Sequence, residues 1–168
     1  MPMTTARAQA APNPSEGDAT DRSDEAAREI ATSRVLPCTR GEVFLAIAQP
    51  QRLARWWGPA GFTSTFESCD FRPGGHWRFV MHGPNGHDYP NHNVFVVIEP
   101  ARRVVIRHDD RTHGFRLTIS LQDEAGGTRV GWQQVFDDAR ERDRMAPICI
   151  PANEENLDRL QAEVAHSS

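Results

Sequence analysis

The stretch RLARWWGPAGF, Arg52 to Phe62, places two adjacent tryptophans directly before a Gly-Pro-x-Gly turn. An indole is costly to leave in water, and neighbouring side chains cannot both point the same way. The expectation is that one ring seals a core and the other faces a cavity or the surface. Upstream, Val43, Phe44, Ile47 and Leu53 suit a helix face, and Pro50 divides the region into two short helices. Thr39 is the expected N-cap, with Glu42 as its capping-box partner. Gly58-Pro59 stops the second helix at the tryptophan pair.

Outside that stretch the period changes to two. EIATSRVLP, Glu29 to Pro37, reads as a strand before the helices. Downstream, FTSTFESCDF (62–71) is a strand, Pro73-Gly74-Gly75 turns, and HWRFVMH (76–82) returns with Trp77, Phe79 and Met81 on one face. Gly83-Pro84-Asn85-Gly86 marks a hairpin. A strand over 88–99 is expected to share one face among Val94, Val96 and Ile98, with His92 in phase. Arg103–His108 follows, then Phe115–Leu121 and Thr128–Phe136, the last two with clean alternation. Leu157, Leu160 and Val164 recur at helical spacing, so Asn153–Ala165 is an amphipathic helix. The acid–Arg run DDARERDR, Asp137 to Arg144, reads as a solvated loop or helical turn. The order is strand, two short helices, six strands, helix. An antiparallel sheet with one apolar face needs a cover, and a twisted sheet wrapped around one helix leaves space between them.

Composition narrows the function classes. The chain has 168 residues and a net charge of −4 with both signs mixed, so there is no electrostatic footprint for nucleic acid. Three cysteines, Cys38, Cys69 and Cys149, lie far apart with no CxxC pair, which fits reduced thiols in a cytoplasm. No apolar run approaches a membrane span, and no secretory h-region opens the chain. Residues 1–27 are poor in anything to bury and read as a disordered tail, with one domain over 28–166.

The combination R34-V-L-P-C-T-R-G-E-V-F44, L53-A-R-W-W-G-P-A-G-F62, D70-F-R-P-G-G-H-W-R-F79, G83-P-N-G86, Y89-P-N-H-N93, I98-E-P-A-R-R-V104 and N156-L-D-R-L160 resembles the START-like (SRPBCC, Bet v 1-like) superfamily. Within it the chain is most similar to domains homologous to the activator of Hsp90 ATPase. The resemblance spans about Arg28 to Ala165. It departs from the family pattern at Asn93, where a glycine often stands, and at Ala152-Asn153, where a Gly-Trp usually opens the final helix. It implies an α+β helix-grip fold: a curved seven-stranded antiparallel sheet around a long C-terminal helix, with two short helices after the first strand. Members of the superfamily bind lipids, polyketides or hormones, cyclise polyketides, or assist a chaperone. A fold of this kind leaves function to be argued from the site.

The candidate ligand-binding residues are Trp56, Trp57, Trp77, Phe79, Met81, His92, His108, Trp132, Gln134 and Phe136. The aromatics and the methionine would make broad apolar walls, though such a stripe also serves as plain core. Gln134 is in phase with Trp132 and Phe136. His108 is in phase with Val104 and Ile106. Each of these polar groups would orient a ligand carbonyl or hydroxyl, or else be satisfied internally. Six histidines crowd the middle of the chain without HExxH or H-x-H on one regular element, so no metal site is expected. No GxSxG, catalytic-cysteine signature or phosphate loop is present, and no cofactor is implied. The expectation leans against an enzyme, with His108 as the one acid–base candidate. The leading reading is a module that binds a small hydrophobic molecule. The alternatives are a chaperone-associated interaction protein and a cyclase- or hydrolase-like enzyme. Neither a nucleic-acid nor a membrane partner is expected, and a homodimer stays open.

Overall fold

Alternation of apolar and polar residues resolves into a single antiparallel sheet in the computed structural model, which describes residues 14–166. Helix α1 (Pro14–Ala27) comes first, then β1 (Glu29–Leu36), α2 (Arg40–Ala48) and α3 (Pro50–Trp56). Six strands follow: β2 (Thr63–Cys69), β3 (His76–His82), β4 (Asp88–Glu99), β5 (Arg103–His108), β6 (Phe115–Glu124) and β7 (Gly127–Phe136). The chain closes with α4 (Ala139–His166). The sheet order is β1-β7-β6-β5-β4-β3-β2, so β1 leaves its sequence neighbours and pairs with the last strand, Glu29 opposite Val135 and Leu36 opposite Thr128. This is the α+β helix-grip architecture.

Local chemistry accounts for most boundaries. The Thr39 side chain accepts from the Glu42 amide at 3.2 Å, and the Glu42 carboxylate accepts from the Thr39 amide at 2.7 Å, closing the capping box of α2. Pro50 sits in the first turn of α3, where a missing N–H leaves nothing unsatisfied. Gly58 leaves α3 at φ 103°, and a Cβ there would stand 2.9 Å from Met81 Cε. Gly75, in the turn before β3, has no room for a side chain either, since its Cβ would fall 1.9 Å from the Asp70 carbonyl oxygen.

Two elements differ from the sequence reading. Helix α1 occupies Pro14–Ala27, where a disordered tail is expected; residues 1–13 of that tail lie outside the described residues. Its last turn is tied down by Asp24–Arg28 at 3.3 Å and by Arg116 reaching Glu25 at 3.5 Å. These are charge contacts, which hydrophobic patterning does not register. Helix α4 begins at Ala139, fourteen residues before the expected start, and absorbs the acid–Arg run. Pro147 and Pro151 lie inside α4, both on its exposed side. The carbonyls they leave free, four residues back on Asp143 and Pro147, are on that same exposed side, where water can satisfy them.

The core lies between the sheet and the C-terminal half of α4, with α2 and α3 closing one end. Trp56, Trp77, Phe95, Ile106, Ile119, Leu157 and Leu160 are fully buried in it. A smaller cluster of Ile30, Phe136 and Ala146 fixes the first turns of α4 to β1 and β7. Among the described residues no helix is long and apolar enough to cross a membrane.

Candidate functional site

Under the first half of α4 the sheet and helix part around a cavity of about 480 Å³. Its walls come from four places. Strands β3, β6 and β7 supply Phe79, Met81, Phe115, Leu117, Trp132 and Gln134. The turn after α3 supplies Trp57, Gly58, Pro59 and Phe62. Strands β4 and β5 with the loop after them supply Tyr89, Asn91, Asn93, His108 and His113. Helix α4 supplies Met145, Ile148, Cys149, Ala152, Asn153 and Asn156. Ile148, 63% exposed, and Tyr89, 43% exposed, are the most open of the large apolar or aromatic side chains on this wall.

The tryptophan pair divides its labour. Trp56 is buried, its indole N–H donating to the Ala46 carbonyl at 2.9 Å, and it does not reach the cavity. Trp57 caps the C-terminus of α3 and forms cavity wall. Its ring lies 4.8 Å from Trp77, 5.6 Å from Trp56 and 5.7 Å from Trp132, centroid to centroid. Trp77 stands behind this layer, wholly buried between Phe66, Phe79 and Phe95. Phe136 packs in the small cluster against α4. Of the aromatic candidates, Trp57, Phe79 and Trp132 therefore meet the cavity, together with Met81, while Trp56, Trp77 and Phe136 support it from behind.

Strand β4 corrects the polar candidates. Its register slips between Phe95 and Val97, so the residues before the slip are out of step with those after it. Asn93 and Phe95 point inward, Val96 is 48% exposed, and His92 lies on the outer face of the sheet. There His92 Nε2 is 2.8 Å from His76 Nδ1, with the two rings stacked, and its Nδ1 is 3.5 Å from Asp109. His92 therefore takes no part in the cavity. Counting back by twos from Ile98 reaches it only by ignoring the bulge.

The inward polar groups come in two pairs. His108 is buried, with Nδ1 2.9 Å from Asn93 Oδ1. With that oxygen as acceptor, Nδ1 carries the proton and Nε2 keeps its lone pair. Burial, then the neighbouring His113 imidazole, pushes the His108 pKa down to about 4, so the ring is neutral at physiological pH. Gln134 Oε1 accepts from Asn153 Nδ2 at 3.1 Å, and its own Nε2 lies 3.9 Å from Cys149 Sγ. Burial raises the Cys149 thiol pKa, which keeps it protonated and unreactive. Asn93 and Asn153 each place a carboxamide against the cavity.

A third amide holds the frame. Asn156 Nδ2 donates to the Trp56 carbonyl at 2.8 Å and its Oδ1 accepts from the Gly58 amide at 3.3 Å. Arg159 donates to the carbonyls of Arg55, Gly58 and Pro59 at 2.9, 2.9 and 3.1 Å, a cation at the C-terminal end of α3. The Trp-Trp-Gly-Pro turn is thereby pinned to α4 by side-chain-to-backbone bonds. The candidate ligand-binding residues read from the sequence did not include Asn93, Asn153 or His113. The position of Asn153 one turn before Leu157 was the available signal, since an amide on an apolar helix face needs a partner.

The model of the Activator of Hsp90 ATPase homolog 1-like protein family matches residues 37–165. No curated protein matches the chain. Among solved structures, a protein from Nitrosomonas europaea superimposes with a TM-score of 0.75 at 20% identity, over 85% of this chain and 97% of that one. One from Arthrobacter aurescens gives 0.77 at 22% identity, over 85% and 89%. An AHSA1-like protein from Aeromonas hydrophila gives 0.66 at 21% identity, over 83% and 93%. At these identities the likeness is one of fold. With the family model covering most of the chain, this protein belongs to the Activator of Hsp90 ATPase homolog 1-like family of the START-like superfamily.

Proposed function

We propose that this protein binds a small, mainly apolar molecule carrying one hydrogen-bonding group. The supporting observation is the cavity: about 480 Å³ of space, aromatic and methionine walls, and two oriented amide-containing pairs. Sites for small molecules are commonly concave, apolar and of this size, with few polar groups that set orientation. Gln134 and neutral His108 would receive the ligand's hydroxyl or carbonyl while Trp57, Trp132, Phe79 and Met81 hold its body. An open cavity supports this reading ahead of a chaperone-associated role, which calls for a filled core and a docking surface. The three free cysteines are compatible with action in a reducing cytoplasm.

Native mass spectrometry on protein purified gently from its own host tests the proposal. The expected result is an extra mass that disappears on denaturation and is missing from Ala152→Phe, whose added ring enters the void from α4. Retention of that mass by Ala152→Phe would place the ligand elsewhere and overturn the assignment.

A further inference from the structure

At the end of β5 the chain reads H108-D-D-R-T-H113, and the loop folds back on itself. Asp110 Oδ1 accepts from the Thr112 and His113 amides at 2.8 and 3.2 Å, which brings His113 round to stack on His108 with ring centroids 5.4 Å apart. Gly114 permits the fold: a Cβ there would stand 2.6 Å from Asp137 Oδ2 and 2.9 Å from the Asp110 carbonyl oxygen. One donor atom each from His108, Asp110 and His113 then lies within 4.8 Å of the other two.

We infer that His108, Asp110 and His113 form a binding site for a borderline divalent transition-metal ion at the rim of the cavity. Two imidazoles and a carboxylate suit zinc, cobalt, nickel or ferrous iron over calcium or magnesium, which prefer all-oxygen shells. Ligands around a tetrahedral zinc at ~2.1 Å bonds stand roughly 3.4 Å apart, so closure from within 4.8 Å needs at most about 1.4 Å of approach, and His113 Nδ1 already stands 3.3 Å from Asp110 Oδ1. A ligating histidine usually donates its other N–H to an oxygen that fixes the tautomer. Asn93 Oδ1 does this for His108 at 2.9 Å, leaving Nε2 as the ligating nitrogen. The Arg107 guanidinium, on the same strand, is occupied by Asp137 through two bonds of 2.6 Å. Three protein ligands leave coordination positions open, the arrangement of sites that accept water or substrate. His108 and His113 both line the cavity, so those positions open toward it. The ion would give the cavity a Lewis acid for a ligand oxygen. This site stands independently of which organic molecule the cavity holds.

The test is titration of the untagged, chelator-treated full chain with cobalt(II), read by visible absorption, and with zinc, read by calorimetry. One equivalent of ion is expected to bind. Asp110→Asn and His113→Gln should each weaken it at least tenfold, and Asn93→Ala by about tenfold, because Asn93 Oδ1 fixes the His108 tautomer. His76→Gln, on the outer face, should leave it unchanged. Far-UV circular dichroism confirms that each variant is folded; Asp110 and His113 lie in a half-buried loop, so either one suffices if the other fails. Absence of saturable binding, binding untouched in both loop variants, or loss in His76→Gln would each overturn the assignment.

Discussion

The Asn153 carboxamide on α4 donates to Gln134 Oε1 on β7 at 3.1 Å across the wall of the cavity. Both residues are buried, so each amide depends on the other, and any ligand oxygen entering the cavity meets groups already held in place. That bond joins the helix to the sheet beside the space they enclose. It also links stability to recognition, because a change in either residue leaves a buried partner unsatisfied.

Replacing Gln134 with leucine keeps the volume and removes the acceptor. The Asn153 amide is then unpaired, and the domain should lose about 1–3 kcal/mol of stability. Ligand affinity should fall about tenfold for a molecule that uses this group, with thermal melts and a fluorescence titration read side by side. Unchanged affinity in a folded Gln134→Leu variant would remove Gln134 from the site.

Gly58→Ala should destabilise the protein by about 1–3 kcal/mol, the usual cost of forcing a side chain into the left-handed region. Its φ is 103°, and the new methyl carbon would press on Met81 Cε at 2.9 Å. Chemical denaturation measures the loss. Because Met81 is cavity wall, the same variant should also weaken ligand binding.

Arg159→Met should cost about 2 kcal/mol, since hydrogen bonds to a charged donor contribute more than neutral ones. The methionine keeps the stem and deletes the guanidinium that meets Arg55, Gly58 and Pro59 carbonyls. Faster amide exchange confined to α3 and the turn after it is the expected signature. Exchange that rises uniformly across the domain would show that Arg159 does not act locally.

Glu163 gives the pH dependence. It is 9% exposed and accepts from Arg55 Nη2 at 2.6 Å and from Arg52 Nε at 3.0 Å, joining the end of α4 to α3. The Arg55 hydrogen bonds, opposed by burial and aided by Arg52, hold its carboxyl below the ordinary carboxylate range. A folded pKa below the unfolded one means the stabilisation is complete above the unfolded value and is lost as pH falls through the folded one. The melting temperature should therefore decline from about pH 5 downward. Glu163→Gln should flatten that decline and cost about 2 kcal/mol at pH 7, less than a fully buried pair because Arg55 is 57% exposed.

Much of this architecture was legible in the chain because single residues carry it. The alternation of Trp77, Phe79 and Met81, and of Trp132, Gln134 and Phe136, names the inner face of β3 and β7 without reference to any partner. Thr39, Glu42, Pro50 and Gly58 mark helix ends through bonds that close within a few residues. What tertiary structure decided is whatever depends on register or on a distant partner. One bulged residue in β4 turned His92 outward and Asn93 inward, and no pattern of apolar letters announces an insertion in a ladder. Prolines at 147 and 151 stop a helix on paper. They are tolerated in α4 because its exposed side gives the freed carbonyls to water. The polar wall is the clearest case. Asn93 finds His108 across a strand pair, Asn153 finds Gln134 from helix to sheet, and His113 folds back by a loop. An amide or imidazole becomes a site only when folding removes water from one side of it and supplies a partner on the other.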